Sequence, residues 1–130
     1  MTDEQFLAAF ETGTLPNAAF HHRDHLRMAW LYVTRDGVAA GADHACQTLR
    51  QFAAAKGAAQ FYHESLTRFW LRLVGHVTAV SPAAREFDAF IAGNGWLEDK
   101  NLPLRHYRQE TLTGPAARAG WVAPDLAPLP

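Results

Sequence analysis

A broad apolar stripe at about residues 59–79 constrains the fold more than any other feature of the chain. Its large apolar side chains recur at helical spacing and cover more than one face of a helix: Leu66, Phe69, Trp70, Leu73, Val74 and Val77. A helix of this kind is stable only when other elements surround it. The segment therefore predicts the central helix of a bundle.

Four further segments have helical periodicity and end at glycine or proline. Their predicted bounds are about 3–12, 22–36, 39–56 and 82–92. Ser81 is the expected N-cap of the last one, and Pro82 occupies its first turn. No run of alternating β-branched residues predicts a strand. These patterns predict an all-α fold.

Repeated prolines break the helical pattern after Gly95 and predict an irregular, proline-rich extended tail over 95–130. The chain is long enough for one hydrophobic core and has no low-complexity linker. We therefore expect a single domain over 1–130, a bundle of four to five helices with the tail wrapped around it.

The composition argues against several classes of partner. There are 12 Lys+Arg against 13 Asp+Glu, for a net charge of -1, so the chain lacks the basic field of nucleic-acid binders. No apolar run approaches the roughly 18 residues of a membrane span. Cys46 stands alone, and the first residues carry no basic targeting pattern. We expect a cytoplasmic domain with small molecules as partners, and neither nucleic acid nor a membrane.

Three of the seven histidines are predicted to meet at one end of the bundle. His22 and His25 share a stripe of the second predicted helix, and His63 shares the apolar stripe of the fourth. Short connections make successive bundle helices antiparallel, so the second and fourth helices run parallel and begin at the same end. All three imidazoles then point inward at similar heights.

Three inward imidazoles form a ligand set for a divalent metal ion such as zinc, iron or nickel. Glu64, next to His63 in the sequence, is the candidate for a carboxylate ligand. In an enzyme the metal would activate water or a substrate oxygen, with Glu64 or Tyr62 transferring the proton. The sequence thus predicts metal binding and leaves open whether the protein is an enzyme that acts on a small molecule.

Two other functions fit the same residues. The positive ends of two helices favour an anion, and Arg23 or Arg105 supplies a cation for it, as expected of a non-catalytic module that binds small anions. Alternatively, the histidines are structural groups that cap helix ends in an interaction protein that forms a homodimer. His21 is itself the expected cap of the second helix.

Three segments also resemble known proteins. The patterns FxHxDHLRxAW at 20–30 and YHESLT at 62–67, with the closing segment 119–126, resemble a group of small uncharacterised bacterial helical proteins. A bundle with three inward histidines is similar in architecture to DinB-like metalloproteins, which hold a divalent metal ion on three histidines. The histidine spacing differs from theirs, so this resemblance implies no ligand assignment and no activity.

Overall fold

Helices form the whole framework of the computed structural model, which describes residues 1–130 apart from the side chain of Ala19. Within these residues there are seven α-helices: α1 (Asp3–Glu11), α2 (His22–Asp36), α3 (Val38–Ala55), α4 (Glu64–Val80), α5 (Phe87–Gly93), α6 (Gln109–Thr113) and α7 (Pro115–Ala119). Short 3-10 turns connect them at Asn17–Ala19, Ala59–Phe61, Gly95–Glu98 and Leu102–Arg105. The described residues contain no strand, so the prediction of an all-α domain is confirmed.

The helices α2, α3 and α4 make the centre of the bundle. Gly37 alone joins α2 to α3, and its positive φ of 83° is a conformation that favours glycine. The start of α3 lies near the end of α4, where Gly75 faces Val38, while Arg50 late in α3 binds Glu64 at the start of α4. Each helix therefore runs opposite to the next, and α2 and α4 begin at the same end.

Gly41 allows α2 and α3 to lie in direct contact. A Cβ atom at this position would stand 2.5 Å from the carbonyl oxygen of Tyr32, too close for two non-bonded atoms. Because the obstacle is backbone, it has no side-chain freedom with which to move aside. The missing side chain thus sets the spacing of the two helices whose ends form the candidate site.

The apolar stripe of α4 divides between the core and a cavity. Phe69, Val74 and Val77 are buried, as the pattern predicts for a central helix. Leu66 and Trp70, nearer the start of the helix, are only partly buried and line a cavity. The stripe is therefore broad for two reasons, since one part fills the core and the other forms a concave surface.

Two helix starts differ from the sequence prediction. The fourth helix begins at Glu64 because the side chain of His63 takes the N-cap position, whereas a 3-10 turn precedes it. The fifth begins at Phe87 and not at Pro82, because Ser81 ends α4 by donating its N–H to Val77. Proline also forces the residue before it into an extended conformation, so Pro82 terminates a helix instead of starting one.

The C-terminal third is more helical than the predicted extended tail over 95–130, since it contains α6, α7 and two 3-10 turns. After these, the chain is fastened to α4 by Ser65, which donates to the carbonyl of Gly120 at 2.7 Å and accepts from the N–H of Val122 at 2.9 Å. The irregular end therefore lies against the bundle. None of the described helices has both the length and the apolarity needed to cross a membrane.

Candidate functional site

A cavity of about 370 Å³ opens where α2 and α4 begin and α3 ends. Most of its walls are aromatic or aliphatic, and the lining side chains are Asn17, Phe20, His25, Leu49, Phe52, Ala53, Lys56, Ala58, Phe61, Tyr62, His63, Leu66, Thr67 and Trp70. Small-molecule sites have volumes of roughly 300–1,000 Å³ and combine apolar walls with a few polar groups. This cavity has that composition, at the small end of the range.

His25 presents a polar ring to this cavity. The imidazole stacks on Phe20, with ring centroids 4.0 Å apart and planes at 17°. Its nitrogens make no hydrogen bond with the described residues, and no fully buried side-chain nitrogen or oxygen among those residues lacks a partner. The unpaired imidazole nitrogens are therefore not fully buried, and they belong to a side chain that lines the cavity, where a ligand can contact it.

The same environment keeps His25 neutral. Burial lowers the pKa of His25 to about 4, with a further decrease from nearby His22 that outweighs the opposite effect of Asp24. At neutral pH the ring therefore offers one N–H donor and one nitrogen acceptor. It is a hydrogen-bonding group without a charge.

His63 lines the same cavity but uses both of its ring nitrogens within the fold. Its Nδ1 accepts the N–H of Leu66 at 3.0 Å, and its Nε2 donates to the carbonyl of Leu112 at 2.7 Å. The first bond caps α4, and the second fastens α6 to the bundle. No lone pair on this imidazole remains for a ligand or a metal ion.

His22 lies behind the cavity wall. Its Nε2 donates to the carbonyl of Leu97 at 3.0 Å, and its ring meets Trp70 edge to face with centroids 4.7 Å apart. The structure thus brings His25 and His63 to one cavity and places His22 next to a residue of its wall. In the part of the chain that the structure describes, no three His, Cys, Asp or Glu side chains are arranged to hold a metal ion. The arrangement does not fit the predicted metal set.

Glu64 is held in a network of ion pairs and hydrogen bonds. Its side chain is 8% exposed and accepts from Arg50 at 3.0 Å, from the Tyr62 hydroxyl at 2.5 Å and from Arg68 at 2.6 Å. Burial favours a raised pKa for Glu64, but these hydrogen bonds outweigh it and hold the pKa below its ordinary value. Burial and the bond to Glu64 raise the pKa of Tyr62. Both candidate catalytic groups are thus bound to each other.

The cation at the cavity differs from the predicted ones. Arg23 pairs with Glu98 at 2.8 Å and Asp88 at 3.0 Å, and Arg105 lies exposed; neither lines the cavity. Lys56 does so, with its ammonium nitrogen 5.6 Å from the centre of the Phe52 ring. Its position beside Gly57 in the sequence indicates a helix end, and that pattern alone does not distinguish a ligand contact from a C-terminal cap.

A second cavity, of about 790 Å³, lies between α3, α4 and the C-terminal segment. Its arginines have protein partners, since Arg68 pairs with Asp43 at 3.0 Å and Arg72 lies 4.1 Å from the centre of the Trp121 ring. The second cavity also contains an imidazole without a hydrogen bond among the described residues, that of His76, but alanine, proline and paired arginine side chains make up most of its wall. The cavity that contains His25 is the stronger candidate, because its walls are mainly aromatic and aliphatic and its imidazole is held by stacking on Phe20.

No family model, curated protein or solved structure matches this chain. The resemblance to the small bacterial proteins, and the architectural likeness to DinB-like metalloproteins, therefore stay predictions. The cavity and its side chains are the remaining guide to function.

Replacement of His63 by alanine is expected to lower the free energy of unfolding by about 3 kcal/mol. About 1 kcal/mol comes from the lost helix cap, and about 2 kcal/mol from the buried carbonyl of Leu112, which loses its donor. Urea unfolding measures the change. His63→Asn is the matched control because its amide oxygen can still cap α4. Its free energy of unfolding should therefore be about 1 kcal/mol higher than that of His63→Ala. A cost below 0.5 kcal/mol for alanine would contradict this structural role.

Proposed function

We propose that the protein binds a small, mostly apolar molecule in the cavity, with the neutral imidazole of His25 as the hydrogen-bond partner. The observation that carries this proposal is the open ring of His25 within apolar walls. Water can reach the same nitrogens, so a ligand that displaces it must itself pair with the imidazole or leave the ring unsatisfied at a cost of about 1–3 kcal/mol. A ligand with a matching polar group avoids that cost.

The geometry of the ring supports selective binding. Stacking on Phe20 fixes the plane of the imidazole, so its donor and acceptor have set directions before a ligand arrives. The apolar walls would hold the body of the ligand, including Phe52 and Trp70. A molecule without a matching polar group would leave the imidazole unpaired and bind more weakly.

Binding is favoured over proton transfer by the state of the polar groups. With a pKa of about 4, His25 is a weak general base at neutral pH. The Tyr62 hydroxyl donates to Glu64, whose oxygens also accept from two arginines. Of the functions predicted from the sequence, the proposal is therefore closest to the non-catalytic binding module, and it needs no metal ion.

Ala53 and its neighbour Ala54 provide a direct test. Ala53 lines the cavity, whereas Ala54 is exposed on α3 and does not. Ala53→Phe should fill the cavity and weaken binding of small uncharged aromatic alcohols and amides at least tenfold, while Ala54→Phe should leave it unchanged. Ligand-observed NMR with a fragment set measures the affinities, and circular dichroism checks that both variants remain helical.

Two outcomes would overturn the proposal. The first is that no fragment binds the wild-type protein at millimolar concentration. The second is that the bound fragments lose affinity equally in Ala53→Phe and Ala54→Phe, because binding would then take place outside the cavity.

A further inference from the structure

We infer that the ligand of this cavity is a small monocarboxylic acid, whose carboxylate pairs with Lys56 and accepts the N–H of His25 while its single ring or short chain lies against the aromatic walls. The inference rests on the proposed function and adds the chemical class of the ligand. It follows from the charge of the cavity, the position of Lys56 and the size of the enclosed space.

Lys56 is a cation without a counter-ion. No carboxylate among the described residues comes within 4.0 Å of its ammonium nitrogen, which lies 5.6 Å from the centre of the Phe52 ring. The nearby Arg50 and Arg68 differ, since both bind Glu64. Of the three cations near this end of α3 and α4, the one that lines the cavity is thus free to bind an anion.

No anionic side chain lines the cavity to oppose that charge. His25 is neutral, and His63 accepts a hydrogen bond on Nδ1, so it is neutral too. A raised pKa keeps Tyr62 protonated, and Glu64 behind it is neutralised by two arginines. The N-terminal ends of α2 and α4 add partial positive charge on the same side, and the C-terminal end of α3 adds partial negative charge, so two positive helix ends outweigh one negative end. The electrostatic environment therefore favours an anion.

The single positive charge and the volume of the cavity restrict the chemical class of the ligand further. One ammonium group matches one negative charge, which suits a carboxylate better than a phosphate dianion. A volume of about 370 Å³ leaves room for a body of one ring or a short chain. Phe61 is 74% exposed at the cavity, so a bound apolar body would cover a large aromatic side chain that water now contacts.

The test compares phenylacetate with phenylacetamide, which has the same shape without the charge. In the wild-type protein we expect phenylacetate to bind about tenfold more tightly, the usual size of a hydrogen bond to a charged group. Lys56→Met keeps most of the aliphatic stem and should bring the ratio to about one. Lys56→Arg keeps the charge and should restore most of the preference. NMR titration measures all of these affinities.

The outcomes separate the inference from the proposed function. Equal affinities in the wild-type protein, or a preference that survives in Lys56→Met, would overturn the inference alone. Tighter binding of phenyl phosphate than of phenylacetate would also overturn it, because the cavity would then prefer a dianion. If phenylacetate fails to bind while a neutral fragment is excluded by Ala53→Phe, the inference fails and the proposed function stands. If Ala53→Phe excludes nothing, both fail.

Discussion

Acidification from pH 6.5 to pH 4 is expected to lower the free energy of unfolding by up to about 3 kcal/mol through His25 alone. In the unfolded chain this side chain takes up a proton near its ordinary pKa of 6.5, but in the folded protein only near 4. The unfolded state therefore binds more protons in this window, and acid favours unfolding. A difference of about 2.5 in pKa corresponds to about 3 kcal/mol. Urea unfolding at several pH values measures it.

His25→Phe isolates this contribution from the other histidines. The variant keeps an aromatic ring beside Phe20 but does not titrate, so its stability should fall less between pH 6.5 and pH 4. The other ionisable side chains near the ring, His22, Asp24, His63 and Lys56, are the same in both proteins, so the difference between the two pH profiles is due to His25. Identical pH profiles for the two proteins would show that His25 titrates normally and is open to water.

Replacement of Glu64 by glutamine is expected to lower the free energy of unfolding by about 3 kcal/mol. The change keeps the size of the side chain but leaves Arg50 and Arg68 without their shared anion, and removal of one partner of a buried ion pair costs about 3–5 kcal/mol. The lower limit applies here because the side chain of Arg50 is 54% exposed. Chemical denaturation at pH 7 measures the loss.

Asp43→Asn is the matched control, because Asp43 pairs with the same Arg68 but is 74% exposed. This substitution should lower the free energy of unfolding by no more than about 0.5 kcal/mol, because exposed ion pairs contribute little. A pH series adds a second check. The lowered pKa of Glu64 means that its contribution is complete above pH 4.5 and is lost as the pH falls through the folded-state value, so Glu64→Gln should lack this decrease. Equal costs for the two variants would contradict a central role for Glu64.

The sequence predicted a helix well where the residues that cap and end it are its direct neighbours in the chain. The second helix matches its predicted bounds, since Asp24 accepts from the N–H of His21 at its start and Gly37 ends it. The C-terminal third has no such pattern. Its course depends on contacts across more than 50 residues, such as those from Ser65 to Gly120 and Val122, which no local periodicity encodes.

The candidate site was also predictable from the sequence only in part. Helical spacing and short connections placed His25 and His63 at the same end of the bundle, where both line the cavity. The pattern could not show which imidazoles have free nitrogens, because the partner of His63 is the carbonyl of Leu112, 49 residues away. It also could not show that Lys56 reaches the cavity, because that depends on how α3 ends against the aromatic walls.

Long-range proton–nitrogen NMR of the histidine rings, recorded during titration with a fragment that Ala53→Phe excludes, tests whether His25 is the hydrogen-bond partner of the ligand. At pH 7 His25 should be neutral, and its ring nitrogens should shift progressively with fragment concentration. The ring signals of His63 should keep the same tautomer, because its two nitrogens bind within the fold. If the fragment binds and the His25 nitrogens do not shift, His25 is not the hydrogen-bond partner of the ligand and the proposed function is wrong.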